Sequence, residues 1–236
     1  THVVVDVNGV HPTGNGYLPL NPSRLASNAP IAAGKVLPVK VAGRAGVPAT
    51  AKAATLNITV AQSSAAGKVT VHACGATRPA LATMVFKAGA RVSNMTVTRI
   101  GTSGSICIHS SSAVKVHVDV IGAHPISTTY HPVAPARLAS KALTAKGTLT
   151  VVAGGKAGIP SGARAVTVNI SVTKAAASGT LTVHACGTPR PAAAAVSFTA
   201  GTAATQLVVA GLAPNGSLCV YTTAAATVTV DATGNL

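Results

Sequence analysis

The sequence predicts an all-β protein made of two tandem antiparallel β-sandwich domains, immunoglobulin-like or jelly-roll-like, with one disulfide in each. Three observations support this prediction: one motif recurs at a nearly constant interval, short segments alternate apolar and polar residues, and glycine and proline separate these segments. A chain of 236 residues has room for two copies of about 110 residues, each large enough to bury its own core.

The repeat is marked by the only acidic residues of the chain, Asp6, Asp119 and Asp231, each of which follows a valine in a valine-rich segment. They lie 113 and 112 residues apart, and the sequences between them match in the same register. The motif with the aspartate occurs three times and the rest occurs twice, so one terminal strand is left over. We assign residues 1–12 to a spare N-terminal strand, 13–123 to the first module and 124–236 to the second.

An acid kept at one repeat position and excluded from all others indicates a structural counter-ion. Its best matched cation is the arginine of Arg-Leu-Ala-Ser, and two pairings are possible. If the last strand closes each module, Asp119 pairs with Arg24 and Asp6 is spare; by the same rule Asp231 pairs with Arg137. If the strand opens each module, Asp6 pairs with Arg24 and Asp231 is spare. We favour closure by the last strand, because it leaves the N-terminal segment free.

Each module has two cysteines separated by 33 residues, namely Cys74 and Cys107 in the first and Cys186 and Cys219 in the second. The economical interpretation is a disulfide within each module, which would stabilise it by about 3 to 4 kcal/mol in the chain-entropy model. Such bonds persist in oxidising compartments, so we expect an extracellular or cell-surface protein. Zinc is the alternative, but His-x-Cys with one distant cysteine supplies three ligands at poor spacing. We predict no metal and no cofactor.

Alternation of apolar and polar residues predicts seven or eight short strands per module and almost no helix. The clearest of these segments are Lys68–Ala73, Ser105–Ser110, Val114–Val120 and Thr227–Asp231. In such a segment the aspartate lies on the face opposite the valines. No apolar run approaches the roughly 18 to 20 residues of a membrane span, so we predict no membrane insertion.

The composition excludes several classes of function. With 18 Lys and Arg against three acids, the net charge of +15 suits an anionic cell-wall polymer or glycan. The cations are scattered and no aromatic residues interleave with them, which argues against nucleic acid. One acid per module cannot supply a catalytic carboxylate pair, so we predict no enzymatic activity. A protein with so few carboxylates to protonate is also expected to tolerate acid.

Two segments share the pattern Gly-x-[Val/Leu]-Thr-Val-x-x-Cys-Gly-x-x-Arg-Pro, Gly67–Pro79 and Gly179–Pro191. Together with the Val-Asp-Val-x-Gly motif and the second cysteine, this pattern resembles a tandem module of secreted and cell-surface proteins of actinobacteria, over nearly the whole chain. The resemblance implies a β-sandwich fold and an extracellular location, and it implies no catalytic residues. The chain differs from such modules in having Ala123-His124 where they tend to carry an aromatic residue.

N-glycosylation sequons begin at Asn57, Asn94, Asn169 and Asn215. Asn57 and Asn169 occupy equivalent positions inside predicted strands, where the repeat explains them. Asn215 lies in the sequence Pro-Asn-Gly, which predicts a turn, so of the four asparagines it is the one best placed to accept a glycan.

The remaining function is structural. We predict a non-enzymatic subunit of a surface filament or lattice, with itself as partner. The spare strand could add to a sheet edge of a neighbouring subunit, and a head-to-tail contact that does not close produces a filament. Its residues are Val3, Val4, Val5, Asp6 and Val7. In the alternative, this strand is the stub of an upstream module, and the chain is a passive or adhesive module of a larger secreted protein that binds cell-wall or glycan polymers.

Overall fold

Sixteen strands and no helix make up the described part of the chain, residues 16–125 and 130–236 of a computed structural model. Eight strands belong to the first module: β1 (Leu18–Ile31), β2 (Val36–Lys40), β3 (Ala53–Ala61), β4 (Gly67–Ala73), β5 (Met84–Phe86), β6 (Val92–Arg99), β7 (Ser105–Ser110) and β8 (Val114–His124). Eight belong to the second: β9 (His131–Leu143), β10 (Thr148–Val152), β11 (Ala165–Thr173), β12 (Gly179–Ala185), β13 (Val196–Phe198), β14 (Ala204–Gly211), β15 (Ser217–Thr222) and β16 (Ala226–Asn235).

Each module consists of two four-stranded antiparallel sheets. Their strand orders are β1-β8-β3-β6 and β2-β7-β4-β5 in the first module, and β9-β16-β11-β14 and β10-β15-β12-β13 in the second. The predicted fold class, two antiparallel sandwich domains with one disulfide each, is confirmed. A search of the described residues finds no helix of the length and hydrophobicity that crossing a membrane requires.

Small and β-branched side chains fill the cores between the sheets. In β8, the valines at alternate positions are buried and the residues between them are partly exposed, as the alternation predicts. The two phenylalanines of the chain are buried at equivalent positions, Phe86 on the edge strand β5 and Phe198 on the edge strand β13. Each fully buried Leu or Ile side chain contributes roughly 1.5 to 3 kcal/mol by leaving water, so many small contacts replace a few aromatic anchors.

The strand with the aspartate lies inside its sheet, between the first and third strands of the same module. β8 pairs with β1 and β3, and β16 pairs with β9 and β11. Each module is therefore closed by its own last strand, which is the arrangement favoured from the sequence. The third copy of the motif, Asp6 with the proposed assembly strand Val3, Val4, Val5 and Val7, lies outside the described residues.

The glycine of the same motif makes room for a tyrosine. A β-carbon added at Gly122 would overlap the ring of Tyr17, and one added at Gly234 would overlap the ring of Tyr130. The Tyr130 hydroxyl donates to the carbonyl of Thr233 at 3.2 Å. Tyrosine and glycine thus stand at equivalent places in the two modules, which explains why the motif ends in glycine.

Both ion pairs join the first strand of a module to its last. The Arg24 guanidinium donates through Nε and Nη2 to the two oxygens of Asp119, and Arg137 Nε lies 2.6 Å from Asp231 Oδ1. The two carboxylates differ in burial: the side chain of Asp119 is 19% exposed and that of Asp231 is 4% exposed. Burial raises the pKa of Asp231, against the hydrogen bond and charge of Arg137, which lower it.

Each disulfide links the residue that follows one strand to the neighbouring strand: Cys74, after β4, is bonded to Cys107 of β7, and Cys186, after β12, is bonded to Cys219 of β15. Beside the second one, the Arg190 guanidinium of the Cys-Gly-x-x-Arg-Pro element stacks over Tyr221, 3.8 Å from the ring centre. The first module has His109 in the place of Tyr221. This histidine is buried and its Nδ1 has no hydrogen-bond partner in the described structure. Burial, followed by the charge of Arg78, lowers its pKa.

Arg137→Met should destabilise the protein by about 2 to 3 kcal/mol at pH 7, because it leaves the buried carboxylate of Asp231 unpaired. Without the guanidinium, the folded-state pKa of Asp231 rises further above 3.8, so the folded protein holds a proton that the unfolded chain releases. The loss should therefore shrink as the pH falls from 7 towards 4. Chemical denaturation across this pH range measures it. Arg24→Met is the matched control, and equal losses in the two variants would contradict the role of burial.

His109→Tyr should flatten the stability profile between pH 7 and 5. Because the folded-state pKa of His109 lies below 6.5, the unfolded chain binds a proton first as the pH falls, and the native protein loses stability in this window. The tyrosine does not titrate there, and it restores the pairing with arginine seen in the second module. Denaturation midpoints at pH 7 and 5 test this. The control is His131→Tyr, which replaces an exposed histidine. A variant as pH-sensitive as the native chain would refute it.

Candidate functional site at the junction between the modules

The two modules meet through unlike surfaces. The first module contributes the side of its sandwich, where β5 and β6 are the last strands of their sheets. The second module contributes the outer face of the sheet β9-β16-β11-β14: β14 contacts both β5 and β6, and β9 and β16 contact β6. We call the first surface, formed by Ala82, Thr83, Asn94 and Val97, the edge surface. We call the second, formed by Asn169, Leu207 and Asp231, the face surface.

A pair of buried asparagines connects the edge surface to the face surface. Asn94 Nδ2 donates to Asn169 Oδ1 at 3.0 Å and to the carbonyl of Thr83 at 2.8 Å. Asn169 Nδ2 donates to the carbonyls of Thr83 and Ala82 at 2.8 and 3.2 Å. The backbone N–H of Leu207, on the free side of the edge strand β14, donates to Asn94 Oδ1 at 3.0 Å. With 2% and 4% exposure, both amides are satisfied by protein groups rather than by water.

An apolar cluster adjoins the asparagines. Val97 and Ala53 of the first module pack with Leu207 and Tyr130 of the second. The Tyr130 ring also lies against His124 at the end of β8, with ring centroids 4.5 Å apart. Burial raises the pKa of Tyr130, so its hydroxyl stays protonated and able to donate. The junction is thus a small packed core with satisfied polar groups at its centre.

A cleft of about 480 Å³ opens beside the apolar cluster and shares Ala53 and Tyr130 with it. Its walls come from both modules and carry the cationic or titratable side chains of Lys52, Arg99, His124 and His131. No carboxylate is among the residues that line it. The charge of such a site favours anions.

The chemistry of the described residues offers no constellation of reacting groups. Among residues 16–125 and 130–236, no group of three His, Cys, Asp or Glu side chains is arranged so that it could hold a metal ion. All four cysteines are bonded to each other in pairs. Asp119 and Asp231 are held by arginine, so neither orients a histidine. The arrangement supports packing and recognition.

The sequence located the disulfide cysteines and the ion pairs but did not reveal the junction. Asn94 and Asn169 looked like glycosylation sequons, yet their amides are buried between the modules. The available signal was a polar amide inside an apolar strand pattern, with Gln206 at the position equivalent to Asn94. Asn215 is exposed, and its Oδ1 accepts from Ser217 within a turn.

Asn169→Ala should lower the free energy of unfolding by about 1 to 3 kcal/mol, because it removes a buried amide that partners Asn94 and two carbonyls. The equivalent substitution Asn57→Ala is the matched control. Asn57 makes no side-chain hydrogen bond in the described structure, so its loss should stay within about 0.5 kcal/mol. Denaturation of both variants measures the difference. Equal effects would mean that the hydrogen bonds of the Asn169 amide at the junction contribute nothing to stability.

No protein-family model matches the chain, and no curated protein sequence does so at a significant level. Six chains of solved structures match it significantly. One is the PBSX exported protein XepA, with 11% identity, a TM-score of 0.26, and coverage of 99% of this chain and 100% of that one. Another comes from the Sulfolobus turreted icosahedral virus, with 12% identity, a TM-score of 0.27, and coverage of 94% and 61%. These scores are too low to support a statement about function.

Proposed function

We propose that the protein is a non-enzymatic extracellular structural protein, a subunit of a surface filament or lattice. The observation that carries the proposal is the contact between the modules, which joins a sandwich side to a sheet face. Contacts between unlike surfaces extend without closing when the same step is repeated, unless the rotation happens to form a ring. A chain that already contains one such step is a short segment of that assembly.

The location forms part of the proposal. Two disulfides within 236 residues indicate an oxidising compartment. An extracellular or cell-surface position agrees with this and with the resemblance to secreted actinobacterial modules. Membership of that group is also proposed here on the sequence motifs alone.

Two routes could join one chain to the next. In the first, the spare strand Val3–Val7 adds to an open sheet edge of a neighbour, as in β-augmentation. In the second, chains repeat the contact that their own modules make. The routes make different demands on the chain, because only the first requires the N-terminal segment.

The second candidate function is a passive or adhesive module of a larger secreted protein that binds cell-wall or glycan polymers. The observation in its favour is the cleft at the junction, whose walls include Lys52, Arg99 and two histidines without a carboxylate. A polyanion such as a phosphate-rich cell-wall polymer matches this charge. Binding of this kind should weaken as salt rises, because it depends on exposed charges.

Negative-stain electron microscopy of the purified chain tests the proposal, alongside the same chain without Thr1–Val10. We expect regular fibres or sheets from the full chain, because successive subunits meet through unlike surfaces. Loss of the fibres on truncation would assign assembly to the spare strand, and persistence would assign it to the sandwiches. Discrete particles in both samples, with saturable binding to isolated cell-wall polymer, would replace the filament with the adhesive module.

A further inference from the structure

We infer that one chain binds a second copy of itself by repeating its own junction. The side of the second module of one chain packs on the outer sheet face of the first module of the next. This inference rests on the proposed structural function and specifies the contact through which the subunits would join. It follows from a comparison of equivalent residues in the two modules.

The second module carries a copy of the edge surface on β14, the strand whose Leu207 already lies in the junction. The residues of this copy on either side of Leu207, Gln206 and Val209, are not buried. Gln206 stands where the first module has Asn94, and Val209 stands where it has Val97. Val97 is 8% exposed beneath the second module, whereas Val209 is 44% exposed and is one of three large hydrophobic residues on the described surface. Because the second module buries Val97, we place the second copy of the chain on the equivalent residue, Val209.

The first module presents the matching copy of the face surface. Asn57 is equivalent to Asn169 and pairs in register with Asp119, as Asn169 does with Asp231. Asn169 is buried and fully bonded at the junction, whereas Asn57 is only partly buried. The aspartates beside these two asparagines differ in exposure in the same way: the side chain of Asp119 is more exposed than that of Asp231.

The chemistry needed at the centre of the contact is present on both free surfaces. A glutamine replaces the asparagine of the edge surface, so its amide can still donate to the Oδ1 of Asn57. The carbonyls of Ala194 and Ala195 replace those of Ala82 and Thr83 as acceptors for the Nδ2 of Asn57. Each asparagine-centred bond of the junction therefore has a counterpart between chains, built from side-chain amides and backbone groups.

One peripheral bond has no counterpart. At the junction, Lys87 Nζ donates to Thr202 Oγ1 at 3.2 Å. The equivalent residues on the free surfaces are Thr199 and Ala90, which cannot form this bond. We therefore expect contact between chains to be weaker than contact within a chain, where a short linker supplies an effective concentration of about 1 mM.

Two blocking variants test the inference. Val209→Lys places a charge on the free edge surface, and Asn57→Arg places a bulky cation on the free face surface. Val36→Lys is the matched control, because Val36 is 46% exposed on β2, an edge strand of the other sheet. Denaturation midpoints close to that of the native chain would show that each variant is folded. Small-angle X-ray scattering over a concentration series up to about 1 mM gives the mean mass.

We expect the native chain and Val36→Lys to grow in mass with concentration, and each blocking variant to associate about ten-fold or more weakly. An equimolar mixture of the two blocking variants should form dimers and stop there, since only one pair of intact surfaces remains. A native chain that stays monomeric over the series, blocking variants that associate as the native chain does, or a mixture with no dimers would overturn the inference.

The outcome is separable from that of the proposed function. Fibres that persist in micrographs of Val209→Lys and disappear without Thr1–Val10 would retain the filament and reject this contact. Fibres that survive the truncation and disappear in Val209→Lys would support both. Absence of fibres in the native chain together with salt-sensitive polymer binding would reject the filament.

Discussion

Each module depends on the placement of its last strand between its first and third strands. The inner valines of β8 complete the core, and its outward aspartate holds the arginine of β1. β1 is an edge strand whose register against β8 shifts several times, so the backbone ladder alone defines its position poorly. The ion pair supplies the missing constraint, and Asp231 does the same for β9 in the second module. Each module is thereby closed by its own last strand.

The same placement decides where the next module begins. The chain leaves the first sandwich at His124, at the end of a central strand, and Tyr130 at the start of the second module packs on that histidine. The second sheet then covers β6, whose free edge would otherwise be open to other strands. The contact that holds the two modules together thus also covers an edge strand of the first module. On the equivalent strand of the second module, β14, Val209 is exposed to solvent.

The fold was predictable from the sequence because it depends on local patterns, and the junction was not because it depends on unlike positions. Alternating valines identify the strands, the recurring aspartate identifies the strand that closes a module, and the spacing of the cysteines identifies the disulfide within one module. Asn94 and Asn169 are not equivalent residues, so the repeat does not place them together. Their contact requires the relative orientation of two sandwiches, which periodicity does not contain. The difference between Asp119 and Asp231 in burial arises from the same orientation and was hidden for the same reason.

The charge of the chain acts against the contact that its surfaces favour. At +15 per chain, two copies repel each other, whereas the surfaces proposed to meet are centred on Asn57, Gln206 and Val209, which are uncharged. Screening by salt weakens the repulsion and leaves hydrogen bonding and apolar burial nearly unchanged, so salt favours self-association. Attraction between the basic cleft and a polyanion changes in the opposite direction. A polyanion bound along the cationic surface would also neutralise the repulsion, so the two proposed functions, polymer binding and self-assembly, would reinforce each other.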